Sequence, residues 1–229
     1  MAKCIFVTGT DTGIGKTICS AAIALKLSQN GKTVAYLKPV ECGIARSDKS
    51  FVAHYIKDVY DQYKLKTPIS PHLAAKQEGI EISISEIKKK IVELSSNYDY
   101  LVVEGAGGLL VPITESYDFA KLISELEINL ILVTGSKLGV LNHAKLNFEY
   151  IRAKKLKIMG YVFNEVLSLA EAGEQVDAIK TNRKALERIA TNYDIPELFA
   201  LPFFDTLPDN KSLLELMDNT PFSAKIRDI

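Results

Sequence analysis

Along this chain, short apolar runs alternate with longer stretches in which apolar residues return every three or four positions. The short runs are KCIFVTG (3–9), TVAYLKP (33–39), DYLVVEG (99–105), NLILVTG (129–135), KIMGYVFN (157–164) and LFALPFF (198–204). The helical period predicts helices over 16–29, where NGK at 30–32 supplies the stop, and over 118–126, 139–154 and 175–192. Ser83 and Glu86 stand at capping-box spacing before a further helix over ISEIKKKIVEL (84–94). The least regular part, 43–66, is read as carrying one helix over SFVAHYIKDVYDQY, with TPISPH (67–72) as a loop and Pro39 closing the strand before it. Strands that are apolar on both faces and separated by helices mean a mostly parallel sheet covered on both sides. The expectation is therefore one doubly wound α/β domain over residues 1–229, with 170–180 as its most mobile loop.

The 229 residues are enough to bury a full core without staples. Lys plus Arg and Asp plus Glu both number 28, so the net charge is zero, which argues against nucleic acid or an anionic membrane as the main partner. The three cysteines, Cys4, Cys19 and Cys42, form no CxxC pair and are read as reduced thiols. The first residues run straight into a strand pattern without the basic and apolar regions of a signal peptide, and no stretch has the length of a membrane span. A cytoplasmic protein is expected.

Candidate chemistry begins in VTGTDTGIGKTICS (7–20). A strand ending in glycine, followed by Gly15-Lys16-Thr17 opening a helix, aims backbone N–H groups and the positive end of a helix dipole at one spot, as a polyphosphate requires. This is the P-loop NTPase arrangement, but one residue too long: the first slot of the usual spacing holds Thr10, and the glycine is Gly9. Lys16 would reach the β- and γ-phosphates, and the Thr17 hydroxyl would ligate Mg²⁺. A dinucleotide fingerprint is absent, because neither Gly13-Ile14-Gly15 nor Gly105-Ala106-Gly107 continues to a third glycine three residues on.

A magnesium nucleotide also needs carboxylates. Glu104 ends the run YLVV before GAGG, which puts a charge at the carboxyl edge of the sheet, where open α/β sheets bind ligands. Lys38 also closes a strand there and on its own has either a site or a solvent reading. Asp48 could cap a helix beginning near Ser50 or serve the metal. His54, His72 and His143 lack metal-ligand spacing.

Five segments, GTDTGIGKT, LKPVECG, SPH, VEGAGGLLVPI and KLGVLNH, stand in the order and spacing of the dethiobiotin synthetase family, which the chain resembles over essentially its whole length. The long loop resembles that family's modified phosphate loop, in which TDT brings polar side chains toward the reacting centre. The resemblance implies an ATP- and Mg²⁺-dependent cyclo-ligase, forming carbon–nitrogen bonds, that takes 7,8-diaminopelargonate and CO₂ or bicarbonate. A carbamate forms, is phosphorylated, and is attacked by the second amine to close the ring.

The same resemblance implies roles for particular residues. Lys16, Lys38 and Thr12 serve catalysis, and Thr17, Asp48 and Glu104 hold Mg²⁺. Gly13, Ile14, Gly15, Lys16, Thr17 and Ile18 cradle phosphates, with Gly105, Ala106 and Gly107 beside them. Asn164 reads the purine, Pro202, Phe203 and Phe204 pack beside it, and Asp209 falls near a nucleotide-contacting acid. Gly139, Val140, Leu141 and Asn142 bind the substrate carboxylate from the partner subunit of a homodimer. Cys42 departs from the pattern, standing where serine is common, and is placed beside the diamine. A partition- or septum-type switch ATPase shares the loop and fold, but it carries an early loop lysine where this chain has Thr10-Asp11-Thr12.

Overall fold

In the computed structural model the described residues are 3–43, 45, 47–168, 170, 171, 173 and 176–228. The chain starts with β1 (Lys3–Gly9), α1 (Lys16–Ser28), β2 (Val34–Cys42), the short α2 (Asp48–Val52) and β3 (Asp58–Leu65). Next come α3 (Pro71–Glu78), α4 (Ile84–Asn97), β4 (Tyr100–Glu104), a small hairpin of β5 (Pro112–Thr114) and β6 (Tyr117–Asp118), and α5 (Phe119–Glu125). The last part runs β7 (Asn129–Thr134), α6 (Val140–Ala153), β8 (Ile158–Asn164), α7 (Val176–Thr191), β9 (Glu197–Leu201), α8 (Asn210–Met217) and α9 (Pro221–Asp228).

Among the described residues the main sheet has seven strands in the order β3-β2-β4-β1-β7-β8-β9, and each strand runs parallel to its neighbours. Strand alternation feeds two cores. Phe6, Leu37, Val103 and Leu132 pack under α4, α5 and α6, while Ile5, Val7, Tyr36, Val102 and Val133 pack under α1 and α8. Helix α1 can sit close to the sheet because its buried positions include Ala21, Ala22 and Ala24. The parallel sheet with helices on both faces agrees with the sequence pattern. All strand carboxyl ends lie along one edge, which is where a ligand crevice forms.

Four expectations need correction. Residues 50–63 are not one helix: α2 ends at Val52, and 58–65 form the edge strand β3, paired with β2 from Ala35↔Asp58 to Cys42↔Leu65. Apolar residues at 52, 55, 56, 59, 60 and 63 carry a helical period, and pairing with β2 overrides it. Strand β2 does not stop at Pro39 but reaches Cys42. Its pairing with β4 ends at Leu37↔Val103, so the missing N–H of Pro39 breaks no ladder on that side.

The segment TPISPH is not wholly loop, since Pro71 occupies the first turn of α3, where a proline N–H would be unsatisfied anyway. The expected mobile loop 170–180 is helical from Val176 onward; residues 172, 174 and 175 of that segment, including the expected helix start at Gln175, lie outside the described residues. Sequence periodicity also assigns no element beyond Phe204, where α8 and α9 close the fold.

Candidate active site

The loop between β1 and α1 turns on two left-handed glycines, Gly13 (φ 66°) and Gly15 (φ 81°). A side chain at Gly15 would also collide with Asn164, since a Cβ there would fall 2.0 Å from the Asn164 Nδ2. The extra loop length folds back over the lysine: the Lys16 ammonium donates to the carbonyl of Asp11 at 2.9 Å, and the Asp11 carboxylate accepts from the Thr12 amide at 2.7 Å. Burial pulls the Lys16 pKa down to about 8, with the Lys38 charge adding to the fall and Glu104 and Asp48 opposing it.

At the start of α1, the Thr17 hydroxyl lies 2.9 Å from Asp48 Oδ1 and 3.1 Å from Glu104 Oε1. Lys38 donates to Glu104 Oε1 at 2.8 Å and to the Gly105 carbonyl at 3.1 Å, and pairs with Asp48 Oδ2 at 2.6 Å. Burial alone would lower the Lys38 pKa, but Glu104 and Asp48 outweigh it and the pKa is raised. The geometry has a simple origin. Tyr36 and Lys38 on β2, and Val102 and Glu104 on β4, are each two residues apart, and so project to the face that α1 covers, directly above its first turn.

Glu104 is 1% exposed, and its second oxygen accepts from the Tyr36 hydroxyl at 2.9 Å. Tyr36, held well above its ordinary pKa by burial and then by the Glu104 charge, stays a donor.

Among the described residues no three His, Cys, Asp or Glu side chains gather as a metal cage. The donor set present is two carboxylates and one hydroxyl, all hard oxygens meeting at Thr17. That suits Mg²⁺, which keeps several waters and shares its remaining positions with phosphates. The residues fit the ion.

These groups line a cavity of about 680 Å³ together with Thr12, Gly13, Gly15, Ala106 and Gly107, and with Cys42, Ile69 and Ser70. Glycines let the walls approach. A Cβ on Gly107 (φ 68°) would meet Val111 at 2.8 Å, and one on Gly108 would meet the Gly9 carbonyl at 3.2 Å. A second cavity, about 390 Å³, shares Gly13 and Gly15 with the first and is lined by Ile18, Asn164, Pro202, Phe203 and Phe204. Asn164 Nδ2 donates to the Ile14 carbonyl at 2.9 Å.

Several expected residues lie outside these two cavities: Gly105 gives its carbonyl to Lys38, and Ile14 lines only a smaller recess. The Asp209 carboxylate caps α8 by accepting from the Ser212 amide at 2.7 Å and does not line either cavity. Gly139, Leu141 and Asn142 at the start of α6 are likewise outside both. Val140 instead lines a small recess of about 130 Å³ with Thr10, Asp11, Thr12 and His143. Sequence reasoning misses Tyr36, which holds Glu104, as well as Glu41 in the wall of the main cavity and Phe51 in that of the second. Tyr36 is findable, since it stands two residues before Lys38 on the same strand face. Glu41 and Phe51 become visible only once β2 and α2 have their true bounds.

A family model described as an AAA domain matches residues 3–213. The ATP-dependent dethiobiotin synthetase BioD of Nitrosospira multiformis is 36% identical over 230 residues, covering 95% of this chain and 96% of its own. That of Methanocaldococcus jannaschii is 39% identical over 176 residues, covering 73% and 82%.

Among solved structures, the MinC:MinD cell division complex of Aquifex aeolicus matches with a TM-score of 0.61 at 15% identity, over 100% of this chain and 97% of that one. A ParA family ATPase from Chlorobium tepidum matches at 0.56 and 16% identity, over 99% and 97%. Likeness at that identity speaks for the fold alone, that of the P-loop nucleotide hydrolases. The sequence relatives say more, for identity above 30% extends over 95% of the chain in one and 73% in the other: the chain belongs to the family of ATP-dependent dethiobiotin synthetases.

Proposed function

We propose that the chain works as one catalytic domain that closes the ureido ring of dethiobiotin from 7,8-diaminopelargonate and CO₂, using ATP and Mg²⁺. The observation that carries this reading is the meeting of Lys16, Thr17, Lys38, Asp48 and Glu104 in the wall of one cavity of about 680 Å³, which Cys42, Ile69 and Ser70 also line. A carbamate is a poor electrophile because its carbon carries an anionic oxygen. Transfer of the γ-phosphoryl group to that oxygen makes it a leaving group, and the second amine then attacks the carbon and expels phosphate.

Little covalent chemistry is left to the protein, so positioning and charge neutralisation carry the rate; alignment of reacting atoms can supply on the order of 7 to 11 kcal/mol. Lys16 leaves the Asp11 carbonyl for the phosphates, and Lys38 spreads charge on the phosphoryl group in transfer. Thr12 lines both the main cavity and the recess beside it, and turns toward the reacting centre. Thr17, Asp48 and Glu104 hold Mg²⁺, which when bound neutralises charge on the phosphate oxygens. Gly13 to Ile18, with Gly105, Ala106 and Gly107, enclose the phosphates. Asn164 offers its remaining amide proton and its oxygen to the purine edge, with Pro202, Phe203 and Phe204 packing beside the base.

The site is tested by following phosphate release from MgATP with bicarbonate, with and without diaminopelargonate. Release that requires the diamine and accompanies dethiobiotin supports the reading. Equal release without the diamine assigns the chain to the switch ATPases.

The start of α6 binds the substrate carboxylate across a two-fold axis, so the working form is a homodimer with shared sites. Support comes from Gly139, Leu141 and Asn142 lying outside their own protomer's cavities, with Gly139 and Asn142 exposed. Inactive Lys16→Ala and inactive Asn142→Asp subunits, mixed, are expected to regain partial activity as heterodimers. No rescue in verified heterodimers contradicts shared sites.

Cys42 is half-buried in the cavity wall, and burial pushes its thiol up to about 11, so it stands as a weakly polar wall and not as a thiolate nucleophile. Cys42→Ser should remain active. Cys42→Leu should weaken diamine binding more than ATP binding, measured as separate half-saturations. Loss of all turnover in folded Cys42→Ser would refute the passive role.

A further inference from the structure

Strand β2 continues beyond Lys38 and carries Glu41, 5% exposed, into the wall of the main cavity. Its carboxylate is committed to the start of α2. One oxygen accepts the backbone N–H of Asp48, and the other accepts the Ser47 hydroxyl at 3.4 Å. We propose that Glu41 is a positioning residue: it clamps the first turn of α2 and thereby fixes the carboxylate of Asp48.

Helix α2 is too short to stand alone. A helix of five residues does not hold itself, because nucleation is unfavourable and its first N–H groups have no partner in the helix. The Ser47 side chain takes the Ser50 amide at 3.3 Å, and Glu41 takes the Asp48 amide. The cap residue and the first helical residue are thus both tied to the end of β2. Asp48 is left with both oxygens committed to the site, Oδ1 at 2.9 Å from Thr17 and Oδ2 at 2.6 Å from Lys38.

A neutral cap would suffice for a helix alone. A second carboxylate beside Asp48 sets like charges together, which is unfavourable unless cations gather there, as Lys38 and Lys64 do. An anionic acceptor also binds an amide more strongly than a neutral one, so the clamp is stiffer than serine or asparagine would make it.

This inference rests on the proposal that Asp48 ligates Mg²⁺, and the test separates the two. Calorimetry measures the Mg²⁺ concentration needed to bind a non-hydrolysable ATP analogue, and amide hydrogen exchange follows residue 48 in the nucleotide-free protein. Glu41→Ala is expected to raise the Mg²⁺ requirement by roughly tenfold, as loss of groups that orient metal ligands does, and to speed exchange at Asp48. Glu41→Gln retains an acceptor oxygen without the charge and should fall between wild type and Glu41→Ala in both. Asp48→Asn should raise the requirement at least as far, and adding Glu41→Ala to it should change nothing more, because Glu41 acts through Asp48.

An unshifted Mg²⁺ requirement in Glu41→Ala beside a shifted one in Asp48→Asn overturns the inference, as does an additive double variant. An unshifted Asp48→Asn overturns the ligand assignment and the inference with it. If Glu41→Ala does not fold, Glu41→Asp, whose carboxylate falls one methylene short, takes its place with the same expectations.

Discussion

Lys16→Ala should lower turnover by a factor on the order of 10² or more, since a preorganised charge aimed at a transferring group is commonly worth ~3 to 4 kcal/mol. The expectation follows from what the lysine does without nucleotide. Its ammonium is buried, held by the Asp11 carbonyl, and so desolvated that its pKa falls to about 8. A charge kept at that disadvantage gains most when phosphates arrive. The fold should survive, because the same burial that weakens the charge means little folding energy is lost with it. Steady-state phosphate release and a thermal melt on the same preparation check both parts. Near-normal turnover in a folded Lys16→Ala protein contradicts the phosphate-loop assignment.

Glu104→Gln should be the next most damaging single change, and here both function and stability should fall. The carboxylate, 1% exposed, accepts from Thr17, Lys38 and Tyr36. Glutamine brings one acceptor oxygen and an amide donor, so at least one of those donors must face an N–H. Leaving a buried donor unpaired costs about 1–3 kcal/mol, to be read in denaturant unfolding. Loss of a hard anionic ligand should also raise the Mg²⁺ concentration for half-maximal activity by roughly tenfold or more. Unchanged unfolding together with an unchanged Mg²⁺ titration would make Glu104 a bystander.

The parts of the fold that can be read from sequence are those where local and tertiary signals agree. Ile5, Val7 and Ile131 sit in strands buried on both faces, so apolar runs mark them directly. The phosphate loop is legible because glycines needed for left-handed turns, at 13 and 15, stand between a strand and a helix. The edge strand β3 is not, for Val59, Tyr60 and Tyr63 fit a helical period, and only pairing with β2 decides between the two.

The site divides the same way. Lys38 and Glu104 can be placed at a sheet edge from their strands, whereas their contact with each other and with Asp48 depends on strand order, β2 beside β4. Asp48 lies 31 residues from Thr17, at the start of the irregular stretch that follows β2, which carries no period that would place it on the site. Glu41 stays hidden because Pro39 looks like the end of a strand.

If ATP is spent on a carbamate oxygen, the fate of that oxygen records it. If the phosphoryl group is transferred to the carbamate and then expelled by the second amine, the phosphate leaves with one oxygen that came from CO₂. With [¹⁸O]CO₂ in unlabelled water, sampled before the label exchanges with solvent, mass spectrometry of the released phosphate should find one ¹⁸O atom for each dethiobiotin formed. Phosphate without ¹⁸O, produced alongside dethiobiotin, would contradict the route.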